Sequence, residues 1–195
     1  MKHSPETTER LALFRDLLLR WNARINLISG DTVAEVDQRH ITDCAQLQPL
    51  LPKDGPIADI GSGAGLPGMV LAILQPDREF HLVESDKRKA AFLVEASAQL
   101  KLPKLRVHSC RAENAKLPSL AAITARALAP LASLLPYAAK FLAQGGVALF
   151  PKGKSAEKEL TEAGQDWHFT LERFPSITNP EATILRLSNI HRVQP

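Results

Sequence analysis

Residues 59–68 read Asp-Ile-Gly-Ser-Gly-Ala-Gly-Leu-Pro-Gly, and this stretch decides the fold. A short apolar run at 57–60 leads into it as a candidate strand, and the pattern over 66–75 predicts a helix after it. Glycines at such a turn let the backbone bend tightly and approach a ligand closely. In open α/β sheets, ligands bind at the carboxyl ends of strands where the strand order reverses. The stretch therefore predicts a ligand-binding loop in an α/β domain.

The rest of the chain alternates between strand and helix patterns. Further strands are predicted at 80–84, 105–109, 121–125, 147–150, 167–174 and 182–187, with helices at 86–100, 130–143 and 155–163. Strands that are nearly all apolar and alternate with helices indicate a mostly parallel sheet with helices on both faces. The last two strands are expected to be antiparallel, and the glycines 145–146 are expected to end the preceding helix.

Two amphipathic helices are predicted before the sheet, at residues 4–21 and 31–51, the second with Asp31 as its N-cap. The breakers Pro52 and Gly55 follow. We therefore expect residues 1–55 to form an N-terminal helical extension and residues 56–195 to form a doubly wound α/β domain.

Composition excludes several classes of protein. The 195 residues carry 24 basic and 21 acidic side chains, and the excess lies in residues 57–151, which hold 11 basic and 7 acidic ones. This charge is too small to identify a polyanionic partner by itself. Cys44 and Cys110 supply neither a disulfide framework nor zinc-ligand spacing, so no metal site is expected. No apolar run approaches the ~18 residues of a membrane span, which favours a cytoplasmic protein without membrane contact.

The glycine loop discriminates between two cofactor classes. Read from Gly61, the spacing is G-x-G-x-G with Asp59 two residues upstream, and Glu84 ends the second strand 23 residues later. An acid at that place accepts hydrogen bonds from ribose hydroxyls. A dinucleotide fingerprint also matches residues 63–68, but it begins too far from the strand, and a second substrate domain is missing. S-adenosylmethionine is therefore favoured over a nicotinamide cofactor, with Asp59 orienting the loop or attracting the methionyl ammonium.

Two later loops add polar residues at the same edge of the sheet. Arg111-Ala112-Glu113 follows the third strand, where a polar group could contact adenine. Arg126 follows the fourth strand, where an arginine could contact the cofactor carboxylate, a phosphate or a guanine edge. The Asp/Asn-Pro-Pro-aromatic motif, typical of enzymes that methylate exocyclic base amines, is absent here.

The order of these motifs resembles the bacterial small-subunit ribosomal RNA methyltransferase G family, also called glucose-inhibited division protein B. The matching segments are 21–22, 26–29, 39–43, 59–68, 111–113, 126–128 and 152–153. The resemblance implies a Rossmann-like fold that uses S-adenosylmethionine to methylate N7 of guanine 527 in the 530 loop of 16S rRNA. It also implies cofactor contacts at Gly61, Leu66, Ala112, Glu113 and Arg126, in addition to those expected at Asp59, Gly63, Gly65 and Glu84.

Chemistry limits what the remaining residues need to do. Guanine N7 carries a lone pair and no proton, so the reaction needs alignment rather than a general base. Arg126 is the candidate positioning residue. His40 is expected to be a buried, hydrogen-bonded histidine, and Arg39 and Asp43 have the spacing of an i,i+4 ion pair.

RNA contact is expected from basic and amide side chains outside the cofactor loop. The candidates are Asn22, Arg39, Lys87, Arg88 and Lys152, although Asn22 could instead build the turn between the helices. The expected partner is 16S rRNA or a 30S particle, and the expected oligomeric state is a monomer. Two alternatives stay open: a nicotinamide-dependent oxidoreductase, and a non-catalytic RNA-binding assembly factor.

Overall fold

The strand before the glycine loop, β1 (Ile57–Ile60), is fully buried near the centre of a seven-stranded sheet. This is seen in a computed structural model that describes residues 3–193. The other strands are β2 (Phe80–Val83), β3 (Leu105–His108), β4 (Leu120–Thr124), β5 (Leu142–Lys152), β6 (Trp167–Pro175) and β7 (Thr183–Arg192). Their order is β3-β2-β1-β4-β5-β7-β6. The first five are parallel, and β7 runs antiparallel to both β5 and β6, as the sequence predicts.

The strand order reverses at β1. The chain runs outward from β1 through β2 to β3, and then returns to β4 on the other side of β1. Asp59 is consequently in register with Leu82 of β2 on one side and with Thr124 of β4 on the other. The glycine loop therefore opens at the switch point, where such sheets bind ligands.

Helices cover both faces of the sheet. They are α1 (Pro5–Ile25), α2 (Gly68–Leu74), α3 (Lys87–Gln99), α4 (Leu131–Phe141) and α5 (Ala156–Ala163). One apolar core joins α1, α2 and α3 to residues such as Ile57, and the second joins α4 and α5 to residues such as Ile60. The N-terminal segment therefore shares the first core with the sheet. The prediction of a separate boundary at residue 55 stays a prediction.

An N-cap, a proline in the first turn and a buried apolar face explain why α1 forms. The Ser4 hydroxyl accepts a hydrogen bond from the Thr7 N–H, and Pro5 occupies the first turn. Phe14 and Leu18 are fully buried, and the centroid of the Trp21 ring lies 5.7 Å from that of the buried Phe92 ring in α3. The helix ends at Ile25, and its C-cap residue Asn26 has a left-handed φ of 45°.

The prediction of one regular helix over 31–51 is wrong. The structure has a 3-10 helix at Gly30–Glu35, a π-helical turn at Asp37–Thr42, a short α-helical turn at Asp43–Ala45 and a 3-10 helix at Gln48–Leu50. Ser29 rather than Asp31 occupies the N-cap position. The spacing predicts one buried stripe on this segment, made of Val33, Val36, His40, Cys44, Leu47 and Leu51. Four of these are buried, Val36, His40, Cys44 and Leu47, whereas Val33 and Leu51 are only partly buried. Tertiary packing of these side chains overrides regular winding, and the wider π turn leaves His40 free to face the loop after β4.

The glycines at 145–146 do not end α4. That helix ends at Phe141, β5 begins directly at Leu142, and both glycines lie within the strand beside a register shift against β4. Gly145 has a φ of +77°, which is the conformation of a bulge residue. Every helix within residues 3–193 is too short or too polar to cross a membrane.

Candidate functional site

The glycine loop leaves β1 in a conformation that glycine favours. Gly61, Gly63 and Gly65 have φ values of +68°, +53° and +79°. The N–H groups of Gly61 and Ser62 donate to the Val83 carbonyl at 2.9 and 3.0 Å, so the loop is tied to the end of β2. A Cβ built on Gly61 would lie 2.5 Å from Cδ1 of Leu128. A side chain at position 61 would therefore collide with Leu128, and both this contact and the positive φ favour glycine there.

Asp59 lies beneath the loop and is completely buried. Its Oδ1 accepts from the Thr124 hydroxyl at 2.8 Å, and its Oδ2 accepts from the Gly68 N–H at 3.2 Å. Burial raises the pKa of Asp59 to about 6, although these hydrogen bonds oppose the rise. Of its two predicted roles, the geometry favours orienting the loop, because the carboxylate faces the underside of the loop and not the cavity above.

Glu84 connects the loop to the start of α3. One carboxylate oxygen accepts from the Gly63 N–H and the other from the Asp86 N–H, both at 2.7 Å. Each oxygen retains a second lone pair, so the predicted acceptor role toward ribose is compatible with these bonds. Asp86 in turn caps α3, accepting from the Arg88 and Lys89 N–H groups. The helix cap predicted at Asp86 is confirmed.

Two adjoining cavities lie above the loop and share a boundary at Gly61, Ser85 and Leu128. The first, here called the inner cavity, measures about 190 Å³, and Ala112 and Glu113 line it. The second, here called the loop cavity, measures about 330 Å³, and its lining includes Gly63, Leu66, Glu84, Lys89 and Arg126. An elongated ligand with an apolar ring at one end and charged groups at the other fits this pair of spaces.

The inner cavity has one fixed carboxylate at its edge. Glu113 accepts from the Tyr137 hydroxyl at 2.7 Å, and its backbone carbonyl accepts from Lys140 at 2.9 Å. The carboxylate's own backbone N–H and the Tyr137 hydroxyl lower the pKa of Glu113. The structure therefore holds Glu113 as an ionised acceptor beside Ala112, at the place expected for contact with adenine.

Arg126 lies at the boundary between the loop cavity and a larger groove. Its Nη2 donates to His40 Nδ1 at 3.1 Å, and its Nη1 lies 3.4 Å from Asp43 Oδ2. The predicted pair between Arg39 and Asp43 does not form, because Asp43 faces Arg126 while Arg39 lies 3.8 Å from Glu35. The prediction that His40 is buried and hydrogen-bonded is confirmed, since it is only 8% exposed.

The groove measures about 890 Å³ and is built from four parts of the chain. They are the segment around residues 32–46, the loop after β4 at 126–130, the stretch from the end of β5 into α5 at 151–159, and the loop between β6 and β7 with the start of β7 at 176–184. Residues 126–129 also line the two smaller cavities, so this loop is the wall between the groove and the cavities. The groove and the loop cavity therefore adjoin at Arg126, Ala127 and Leu128, which line both.

The candidate RNA contacts divide into two groups. Lys87 and Arg88 are exposed at the start of α3, and the Arg39 side chain is 53% exposed at the groove. Asn22 instead builds the turn after α1, where its side-chain oxygen accepts from two backbone N–H groups at 2.7 and 2.9 Å. Lys152 is only 9% exposed, 2.7 Å from a Glu159 oxygen, and it donates to the carbonyl of residue 129. Asn22 and Lys152 thus make internal contacts, and Lys152 also lines the groove, while RNA contact by either residue stays a prediction.

Sequence reasoning missed three residues of the site. Leu128 separates the cavities, Lys89 lines the loop cavity, and Thr178 contacts Asp43 across the groove. The basic run at 87–89 and the loop after β4 were both recognisable in the sequence. Thr178 has no local signal, because it lies 135 residues from its partner.

Comparisons with known proteins agree with this geometry. The family profile described as "rRNA small subunit methyltransferase G" matches residues 7–184. Proteins named ribosomal RNA small subunit methyltransferase G are 54% identical in Granulibacter bethesdensis and 51% identical in Rhodospirillum centenum. The two alignments cover 97% and 96% of this chain and 89% and 86% of the relatives.

A solved structure of M. jannaschii TYW2 in complex with AdoMet matches this fold with a TM-score of 0.62. The match covers 88% of this chain and 80% of that one, at 13% identity. Identity at that level shows a shared fold, and the predicted α/β architecture is thereby confirmed.

Proposed function

The chain belongs to the rRNA small subunit methyltransferase G family, and on that premise we propose that it methylates N7 of a guanine in 16S rRNA. The methyl donor is S-adenosylmethionine, and the target is guanine 527 in the 530 loop. The observation that carries the proposal is the glycine loop at the switch point, bound to Glu84 and bordered by a groove of about 890 Å³. A small cofactor site beside a large open groove suits transfer from a small donor to a macromolecule.

The cofactor would be held by residues from three neighbouring loops. Gly61 and Gly63 offer close backbone approach, Glu84 offers acceptors for ribose hydroxyls, and Ala112 and Glu113 border the space for adenine. When bound, S-adenosylmethionine supplies an electrophilic methyl group on a sulfonium sulfur. The donor set fits this group, because the loop cavity joins carboxylate and guanidinium groups to an apolar neighbour at Leu66.

The chain's own contribution to the reaction is alignment. Guanine N7 is unprotonated at neutral pH, so no side chain has to remove a proton before the transfer. Arg126 lies on the wall between the groove and the loop cavity, with a side chain 21% exposed, and it positions guanine or cofactor there. Effective molarity from such alignment can supply about 7–11 kcal/mol of a reaction barrier.

The substrate is 16S rRNA or a 30S particle, and the protein acts as a monomer in the cytoplasm. Exposed Arg39, Lys87 and Arg88 contact RNA phosphates at the rim of the site. The formal charge of +3 is small for an RNA-binding protein. Shape recognition by the groove therefore has to add to the electrostatic attraction.

The deciding experiment maps methylated nucleotides in 16S rRNA from cells with and without the protein. The expected result is an N7-methyl mark at guanine 527 that disappears with the protein and returns with its expression. A normal mark in cells lacking the protein would overturn the proposal. Transfer of a labelled methyl group to purified 30S subunits, if observed, would exclude a role as a non-catalytic assembly factor. Equilibrium binding of S-adenosylmethionine, together with no binding of a nicotinamide dinucleotide, would exclude the oxidoreductase.

The role of Arg126 is tested with Arg126→Ala, and Lys158→Ala serves as control because Lys158 lies on α5 with a side chain 79% exposed. We expect Arg126→Ala to lower methyl transfer or cofactor affinity at least tenfold, with no change in the control. Unchanged methyl transfer and unchanged cofactor affinity together would remove Arg126 from the site.

A further inference from the structure

Three distant parts of the chain meet on one carboxylate, that of Asp43. Its Oδ1 accepts from the Thr178 hydroxyl at 2.5 Å and from the Gln46 amide at 2.8 Å. Its Oδ2 faces Arg126 Nη1 at 3.4 Å. The side chain is 18% exposed, so these contacts form in a partly desolvated place where charged hydrogen bonds are strong. Asp43 thus joins the N-terminal segment, the loop after β4 and the loop between β6 and β7.

The orientation of Arg126 is also fixed by His40. Because Arg126 Nη2 donates to Nδ1 of His40, that nitrogen is the acceptor, and the proton of the neutral ring is on Nε2. Nε2 lies 2.9 Å from the Thr32 hydroxyl, which itself donates to the Ser29 carbonyl at 2.8 Å. Burial, and then the charge of Arg126, lower the pKa of His40 to about 4. Every donor in this chain of bonds has an acceptor, so one arrangement is specified.

The loop between β6 and β7 is fastened to the N-terminal segment by a second residue. The side-chain oxygen of Gln46 accepts from the Ile177 N–H at 2.8 Å, and its nitrogen donates to the Ser176 hydroxyl at 3.2 Å. The loop between β6 and β7, which forms one wall of the groove, is therefore held against the N-terminal segment by Asp43 and Gln46 together.

The loop after β4, which forms the opposite wall of the groove, is held at both of its ends. Arg126 binds the N-terminal segment at one end. At the other end, Lys152 donates to the Ala129 carbonyl and Glu159 accepts from the Leu131 N–H, both at 2.8 Å. Only the residues between these anchors, which border the smaller cavities, have no such tie among the contacts described. Asp43 therefore contacts the loop after β4 at Arg126 and the loop between β6 and β7 at Thr178.

We propose that Asp43 is a positioning residue that sets the geometry of the groove for an extruded purine nucleotide of the RNA substrate. This inference rests on the proposed function and assigns the groove, rather than the cavities, to the target base. Asp43 acts on the nucleotide through Arg126 and Thr178. The cofactor loop is held separately by Glu84 and by residues of β1 and β4. A misplacement of about 1 Å at a reacting centre is enough to lower a rate about 100-fold.

The test compares Asp43→Asn with a matched pair at Thr178. Asp43→Asn keeps the size of the side chain and removes the charge that faces Arg126. Thr178→Val removes the hydroxyl at nearly constant volume, whereas Thr178→Ser keeps the hydroxyl and removes only the methyl group. For each variant, kcat and KM are measured on 30S particles, the Kd for S-adenosylmethionine by calorimetry, and Tm by thermal unfolding.

The expected result separates the substrate from the cofactor. Asp43→Asn lowers kcat/KM for the particle at least tenfold, whereas the Kd for S-adenosylmethionine changes less than about threefold. Thr178→Val changes kcat/KM in the same direction, and Thr178→Ser retains activity close to wild type. Because Asp43→Asn keeps an oxygen that can accept from Thr178 and loses the charge that faces Arg126, the double variant Asp43→Asn with Thr178→Val should lose more kcat/KM than either single variant.

The outcomes distinguish this inference from the function on which it rests. Wild-type protein that fails to methylate N7 of 16S rRNA in any particle overturns the proposed function together with the inference. Wild-type activity combined with unchanged kcat and KM in Asp43→Asn overturns the inference alone. A loss of activity that is matched by equal losses in cofactor affinity and in Tm also overturns it, because Asp43 would then support only the fold.

Discussion

Replacement of Asp59 by asparagine tests how the glycine loop is held. The carboxylate is completely buried, and its pKa rises from the ordinary 3.8 to about 6. At 1.36 kcal/mol per pKa unit, this difference corresponds to about 3 kcal/mol. Between pH 4 and pH 6 the unfolded chain releases this proton first, so the folded state binds more protons. The contribution of Asp59 to stability is therefore present below about pH 4 and is lost as the pH rises through about 6.

The variant Asp59→Asn has no proton to release at this position. Its amide oxygen can accept from Thr124, but its amide nitrogen then faces the Gly68 N–H, and a buried donor left unpaired costs about 1–3 kcal/mol. We therefore expect wild type to be the more stable protein at pH 4. At pH 7.5 the variant should equal or exceed wild type, because it avoids a buried charge.

The assay is the free energy of unfolding in urea, measured for both proteins from pH 4 to pH 7.5. The difference between wild type and Asp59→Asn should fall by about 2.5 kcal/mol over this range, because part of the effect already lies below pH 4, and this is equivalent to about 5–10 °C in Tm for a chain of this length. Histidines that titrate over the same range are common to both proteins and cancel in the difference. The control Glu162→Gln, at a side chain 53% exposed, should give a flat difference. A flat or rising difference for Asp59→Asn would refute the reasoning.

Three further predictions concern the loop and the edge of the sheet. Gly63→Ala should lower the free energy of unfolding by about 1–2 kcal/mol, because alanine is strained at this left-handed φ. Gly65→Ala should lower it by about 1–3 kcal/mol more, because its Cβ would also lie 2.8 Å from the Cβ of Met69 in α2. Equal losses for the two variants in urea unfolding would contradict this prediction. Glu84→Gln should weaken binding of S-adenosylmethionine at least tenfold in calorimetry, because charge-assisted acceptors for two backbone N–H groups are lost. Burial lowers the pKa values of His81 and His108, whose ring nitrogens lie 2.9 Å apart, so acidification below about pH 6.5 should destabilise the fold. His108→Gln should reduce that pH dependence, and an unchanged slope would count against the pair.

Local patterns were sufficient to predict the strands and the helices that flank them. The seven strands appear where alternation and apolar runs predict them, and α3 begins after its predicted cap at Asp86. The segment at 31–51 was mispredicted, because periodicity identifies the buried side chains but not how the backbone winds between them. The four buried positions there are compatible with a regular helix and with the observed mixture of 3-10, π and α turns.

The cofactor loop and the groove differ in how far their sequence signals extend. Asp59, Gly61 and Gly63 lie within five residues of one another, so their shared role is visible in the sequence. The partners of Asp43 lie 83 and 135 residues away, and no spacing rule connects them. The i,i+4 rule even indicates the wrong partner, Arg39, since helical neighbours are the only contacts that it considers.

The π turn at Asp37–Thr42 gives a physical reason why the N-terminal segment belongs to the site. A π turn widens the helix and changes the direction in which its side chains point. Here His40 lies inside that turn and Asp43 directly follows it, and both face Arg126 while Val36 and Cys44 stay in the core. With its π turn, this one short segment packs against the sheet through Val36 and Cys44 and also lines the groove through His40 and Asp43.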